Sequence, residues 1–259
     1  MSLPEPHPRP RLRRRGIYLL PNLFTTAALF AGFYAIVAAM NGRYQIAAVA
    51  IFIAMVLDGV DGRVARLTNT ETDFGAQYDS LSDMVSFGLA PALVMYQWSL
   101  SSWGRIGWLA AFIYTAAAAL RLARFNTQVG IADKRYFQGL ASPSAAALLA
   151  GLIWVGDDYG LADGKALVPI SVLLTLAAAG LMVSNIRYLS MKTLDVKDRL
   201  PFMAGLAIVL VFVFYSLSPP LLLFSTFFLY ASSGPLVTLV QLRRRRAARR
   251  AGLDEPPKP

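Results

Sequence analysis

The chain has no cysteine among its 259 residues and a single histidine, His7, which sits in a Pro/Arg-rich N-terminal stretch. The first absence excludes disulfides, thiolate nucleophiles and cysteine-ligated zinc. The second leaves only a tail residue, so phosphoryl or phosphatidyl transfer through histidine is not expected. Charge is sparse as well. Asp, Glu, Lys and Arg make up 15% of the residues against 56% hydrophobic, and mean hydropathy is +0.50. With apolar runs of the roughly 20 residues that a helix needs to cross a bilayer, the chain reads as a polytopic, all-α integral membrane bundle with no soluble domain. Acidic residues are the scarcer sign, 15 against 25 basic, for a net charge of +10. Most of that excess flanks the apolar runs, which suits anionic membrane lipid and not nucleic acid.

The hydropathy pattern predicts about eight transmembrane helices, at residues 19–40, 44–66, 76–98, 104–126, 140–157, 166–187, 202–217 and 219–241. Ser218, Pro219 and Pro220 make a tight turn between the last two. The fifth span is rich in Ala and Gly and is expected to pack among other helices. Residues 1–18 and 243–259 read as basic, disordered tails around a membrane domain at 19–242. No small-residue cleavage site follows a short apolar core, so the N-terminal stretch is not expected to be a signal peptide. Tyr18, Trp98, Trp103 and Trp108, near span ends, are expected to be interfacial anchors.

Lys and Arg are distributed unequally between alternate connections. One set holds Arg9 to Arg15, Arg63, Arg66, Lys134, Arg135, Arg187, Lys192, Lys197, Arg199 and the Arg243–Arg250 cluster. The other holds little beyond Arg43, Arg105 and Lys165, beside the acidic Asp157, Asp158 and Asp163. Both termini are therefore expected on the cytoplasmic side of a bacterial inner membrane, together with the segment joining the second and third spans.

That segment holds the strongest motif, Asp58-x2-Asp61-Gly62-x2-Ala65-Arg66-x8-Gly75-x3-Asp79-x3-Asp83. Steps of three and four residues put Asp58 with Asp61 on one helix face and Asp79 with Asp83 on another. Four carboxylates converging at a membrane boundary are costly unless cations neutralise them, and carboxylate oxygens are the hard ligands that Mg2+ or Mn2+ prefers. A solvated helix face needs no such repetition and no small residues between the acids.

The full pattern resembles the signature of the CDP-alcohol phosphatidyltransferases, with every specified position present. The resemblance implies a helical membrane enzyme, usually a homodimer, that binds two divalent cations per active site and releases CMP when an alcohol attacks a CDP-linked lipid such as CDP-diacylglycerol. It also implies roles. Asp58, Asp61 and Asp79 would hold the metals. Asp83 would contribute to the second metal and serve as general base. Gly62, Ala65 and Gly75 would let the nucleotide approach the backbone, and Arg66 would pair with phosphate. Pro21-Asn22 matches a shorter family habit, an Asn at the start of the first span near the nucleotide.

Three later stretches are similar to those of the phosphatidylserine synthases within that family. They are Arg121-Leu-Ala-Arg124-Phe-Asn126, Phe137-Gln-Gly139-Leu-Ala-Ser142-Pro143-Ser-Ala-Ala, and Met182-Val-Ser184-Asn185-Ile-Arg187-Tyr188-Leu-Ser-Met-Lys192. Ala141 and Met191 depart from the usual Pro and Phe. Neither change removes a charge. L-serine is thus the expected acceptor, with Arg121, Arg124, Asn126, Ser142, Arg187 and Lys192 as candidate contacts, because a guanidinium binds a carboxylate bidentately. Arg121 and Arg124 would otherwise snorkel to headgroups, and Arg187 and Lys192 would otherwise serve only topology. The competing acceptors are glycerol 3-phosphate, inositol phosphate and choline. A phosphorylated acceptor calls for a denser basic pocket, and choline for an aromatic cage. Intramembrane acids also mark cation transporters, but no second copy of the 58–83 pattern supplies the repeat common in transporters.

Overall fold

A computed structural model describes residues 19–128 except 69 and 71, residues 136–189 except 162 and 163, residue 210, and residues 213–250. Its helices are α1 (Leu19–Met40), α2 (Tyr44–Thr68), α3 (Asp73–Asp83), α4 (Ala90–Trp98), α5 (Gly104–Gln128), α6 (Ser142–Asp158), α7 (Val168–Val183) and α8 (Pro219–Arg250). A π-helical turn, Met84–Leu89, makes α3 and α4 one continuous rod. Among the described residues, five helical stretches are long and apolar enough to cross a membrane: Leu20–Met40, Tyr44–Thr68, Leu100–Thr127, Lys165–Val183 and Pro219–Val240. The α3–α4 rod and α6 fall on two further expected spans. The span expected at 202–217 lies largely outside the described residues, so the count of eight stays an expectation of the sequence.

Helix starts follow local chemistry. Proline occupies the first turn of α6 (Pro143) and of α7 (Pro169), where a missing N–H costs nothing. Thr72 caps α3, its hydroxyl accepting the Gly75 N–H at 3.0 Å. In the turn from α1 to α2, Gly42 adopts φ +70°, open to glycine at no steric cost.

Helix α6 runs through the centre, packed against α2, α4, α7 and α8. Residues Ala145–Ile153 are all buried, as its small side chains led one to expect. Helices α1 and α2 lie along one another, each lined by buried alanines such as Ala31, Ala35, Ala38, Ala47, Ala48 and Ala54. The apolar outer faces, including Phe33, Ile53, Phe112 and Leu173, are exposed, as suits side chains that meet acyl chains.

The π-helical turn has a specific cause. Pro91 lacks the N–H that would bond the Phe87 carbonyl in an α-helix, and its ring crowds that oxygen. The helix widens, and the Ala90 N–H bonds Val85 O instead. The released Phe87 carbonyl accepts the hydroxyl of Tyr114 on α5 at 3.1 Å, and both residues are wholly buried.

Trp98 corrects an expectation. It is a core residue, 1% exposed, and not an interfacial anchor; its Nε1 donates to Leu161 O at 3.3 Å. Gly156 and Gly164 make room for it, since a Cβ on either would lie 2.3 or 2.7 Å from the indole. Trp103 and Trp108 are exposed as expected, and Tyr18 lies outside the described residues.

The opposite end of the bundle is closed by a small antiparallel ribbon, the one departure from helix among the described residues apart from loops. Strand β1 (Tyr136–Gln138) pairs with β2 (Arg187–Leu189), with Phe137 opposite Tyr188. Gly139, at φ +77°, follows β1. Its N–H bonds Ile186 O at 2.8 Å, and a Cβ there would sit 2.3 Å from Met182 O. Tyr188 is buried against α8, its hydroxyl donating to Ala231 O at 2.9 Å. The ribbon thus ties the loop before α6 and the loop after α7 to α8.

Candidate active site

Three of the four aspartates meet. One carboxylate oxygen each from Asp58, Asp61 and Asp79 lies within 4.8 Å of the others, so the C-terminal half of α2 and α3 meet through these side chains. The helical spacing does this: α2 presents Asp58 and Asp61 one turn apart, and α3 runs back past them. Asp61 is 5% exposed, and Asp79 Oδ1 is buried with no hydrogen-bond partner. At an effective dielectric near 20, two unit charges at that separation repel by about 3 kcal/mol, and three pairs by roughly 10 kcal/mol. Convergent acids, a buried orphan oxygen and an all-oxygen donor set fit a divalent cation.

Asp83 stands outside this triplet. It lies one turn beyond Asp79, within hydrogen-bond reach of Asp58 and facing Arg121 of α5. Arg121 is half-buried and donates from Nη1 to Ser142 Oγ at 2.8 Å, at the start of α6. Its Nε is buried and has no partner, and Tyr114 and Tyr230 flank its charge.

The other acceptor candidates separate by environment. Arg124 donates to Asn185 Oδ1 at 3.3 Å, linking the ends of α5 and α7. Asn126 exchanges hydrogen bonds with Ser80 at 3.0 and 3.2 Å, tying α5 to α3 beside Asp79. Arg187 contributes backbone to β2, its side chain lying outside the described residues, as does the whole of Lys192.

A cavity of about 350 Å³ opens beside the triplet, between α1, α2 and α3. It is lined by Asn22, Gly62, Ala65 and Gly75, the predicted nucleotide residues, together with Asp61 and Asp79. Arg66 is absent from its wall. Its Nε turns back to Gly62 O at 2.8 Å, and the side chain is exposed. Sequence reasoning missed Thr25, Thr70 and Thr72, which also line the cavity. Only Thr72 left a signal, as a helix cap three residues before Gly75.

The two glycines keep the cavity open differently. A Cβ on Gly75 would press on Thr72 Oγ1 at 3.1 Å and approach Asn22 Oδ1 at 3.5 Å, whereas a Cβ on Gly62 would meet no protein atom within 4 Å and would take up cavity space. Gly62→Ala is therefore expected to leave the thermal midpoint unchanged or raise it, since alanine favours a helix interior by about 1 kcal/mol over glycine. It should nevertheless raise KM for the nucleotide-bearing substrate about tenfold, a loss of ~1.4 kcal/mol in binding. Thermal melts and initial rates on one preparation check both, and an unchanged KM would remove Gly62 from the binding surface.

Residues 18–232 match the family model described as CDP-alcohol phosphatidyltransferase. Over 200 residues the chain is 38% identical to the CDP-diacylglycerol–serine O-phosphatidyltransferase of Helicobacter pylori strain 26695, covering 76% of this chain and 83% of that protein. A protein of the same name from Mycobacterium tuberculosis H37Rv is 39% identical over 155 residues, 57% of this chain and 54% of that one. The archaetidylserine synthase of Methanothermobacter thermautotrophicus is 31% identical over 171 residues, 65% of this chain and 69% of that one.

Proposed function

The chain belongs to the CDP-alcohol phosphatidyltransferase family, and we propose that it transfers the phosphatidyl group of CDP-diacylglycerol to the hydroxyl of L-serine, giving phosphatidylserine and CMP. One observation carries the choice of acceptor. Arg121, a half-buried guanidinium with an unpartnered Nε, faces Asp83 beside the carboxylate triplet. A substrate with its own carboxylate would complete Arg121 while presenting its hydroxyl to Asp83.

The cavity walled by Asn22, Gly62, Ala65 and Gly75 takes the nucleotide. Asp58, Asp61 and Asp79 would hold two divalent cations, Mg2+ or Mn2+, with Asp83 contributing to the second. Bound there, such ions would neutralise the pyrophosphate and stabilise the departing CMP. Asp83 takes the proton from the serine hydroxyl as its oxygen attacks phosphorus and the bond to CMP breaks. Arg121 and Ser142 orient the acceptor, with Arg124, Asn126, Arg187 and Lys192 as further candidate contacts. Arg66, one residue beyond the cavity-lining Ala65, pairs with phosphate. The enzyme works as a homodimer in a bacterial cytoplasmic membrane, with both termini and the site facing the cytoplasm. The Lys/Arg asymmetry supports that orientation, and the basic ends suit anionic lipid, the C-terminal one being no disordered tail from 243 on, since α8 continues through it as helix to Arg250.

An acceptor panel tests the reading. Purified protein with CDP-diacylglycerol and Mn2+ should release CMP with serine. It should do so poorly with ethanolamine, which lacks the carboxylate, and with choline, glycerol 3-phosphate or inositol phosphate. Arg121→Ala should raise KM for serine by about thirtyfold or more, the scale of the 2–5 kcal/mol lost when a buried charge pair is broken, and should move KM for CDP-diacylglycerol less. Faster turnover with a phosphorylated acceptor would reject serine while leaving the reaction class intact.

A further inference from the structure

Thr25 is the one threonine of α1 buried against the acidic cluster, and nothing in its sequence context marks it. Its hydroxyl lies 2.8 Å from Asp61 Oδ2 and 3.2 Å from the Pro21 carbonyl one turn back. One hydroxyl hydrogen serves only one of these well. A threonine inside a helix commonly bonds its own i−4 carbonyl, which would make Thr25 merely structural. The shorter contact is to a charged acceptor, however, and charge-assisted bonds are about twice as strong as neutral ones. The hydrogen goes to Asp61.

The backbone of Thr25 is engaged from the other side. Ser82 of α3, between Asp79 and Asp83, donates its hydroxyl to Thr25 O at 3.1 Å. Thr25, Asp61 and Ser82 are 4%, 5% and 3% exposed, so water has little access to these bonds. One turn further along, Ser86 donates to Ala28 O at 3.1 Å, and Gly32 lets it approach, since a Cβ there would lie 2.7 Å from Ser86 Cα. Helix α1 therefore braces the two helices that carry the carboxylates, holding α3 by its backbone and α2 by one hydroxyl.

We propose that Thr25 is a positioning residue that fixes the Asp61 carboxylate for divalent-cation binding. The proposal rests on the reading of Asp58, Asp61 and Asp79 as metal ligands. A carboxylate held at one oxygen presents the other in a fixed direction, and loss of such an outer hydrogen bond costs a metal site about 10- to 100-fold in affinity. Thr25→Val keeps the β-branched shape and removes the donor. Thr25→Ala removes it with less bulk, and Thr25→Ser keeps it.

The test is Mn2+ titration of the purified full-length protein in detergent with saturating CMP, following free Mn2+ by its EPR signal, beside a thermal melt. Thr25→Val and Thr25→Ala should each weaken Mn2+ binding about tenfold or more, and Thr25→Ser should restore it to within about twofold of the wild type. KM for serine should not move. A structural role alone would lower the melting temperature and leave Mn2+ affinity unchanged; that result, or a serine variant as weak as the valine one, would overturn the proposal. If the wild type itself bound no Mn2+, the metal reading beneath it would fall instead.

Discussion

Chelation of divalent cations with EDTA is expected to abolish CMP release, and added Mg2+ or Mn2+ to restore it. Three carboxylates within 4.8 Å of one another, one with a buried oxygen lacking any partner, form a site that repels the anionic pyrophosphate it has to hold. Thr25 supplies a single neutral donor, and Arg121 faces Asp83 from the far side. Asp79→Asn should lower turnover by more than about a hundredfold, because outer-sphere losses alone reach that scale and Asp79 would be a direct ligand. The same variant should lose Mn2+ binding. It should also melt no lower than the wild type, since removing one of three converging charges relieves repulsion. Full activity in metal-free buffer would reject the metal site outright.

What the sequence disclosed and what it hid divide by distance along the chain. Helix positions were legible because proline, glycine and polar residues punctuate long apolar runs, and α1 spans the predicted 19–40. The aspartate cluster was legible because its members sit at helical spacing on two consecutive helices, so local periodicity already put them on facing surfaces. The π-helical turn was hidden. A period of 3.6 read through residues 76–98 assumes unbroken α-helix, and the widening depends on Pro91 together with Tyr114, contributed by α5. Trp98 was misread because a Trp at a span end resembles an anchor, while the glycines that admit it lie some sixty residues later, at Gly156 and Gly164. Thr25 meets Asp61 across 36 residues, and one hydroxyl in an apolar helix gives no periodic signal. Arg121 and Arg124 looked alike in sequence. Three-dimensional neighbours separate them, Arg124 binding Asn185 while Arg121 faces Asp83.

Asp83→Asn should leave CDP-diacylglycerol binding nearly intact and depress turnover by roughly a hundredfold or more, the contribution of a well-placed general base. Asp83 is not one of the three converging carboxylates but borders them through Asp58, opposite Arg121, where an acceptor held by its carboxylate would present a hydroxyl. Asparagine keeps the size of the side chain but exchanges one acceptor oxygen for an NH2 donor and cannot take a proton. The loss should therefore fall on kcat, whereas Arg121→Ala falls on KM for serine. Combining the two separates the roles. If Asp83 acts on the proton and Arg121 on the carboxylate, the KM rise from Arg121→Ala should persist at similar size in the Asp83→Asn background, because each variant removes a different contact with the same substrate. Initial rates across serine and CDP-diacylglycerol concentrations, with nucleotide binding followed separately, decide the matter. Wild-type turnover in Asp83→Asn would assign the base elsewhere, and loss of CDP-diacylglycerol binding would make Asp83 chiefly a ligand of the cation site.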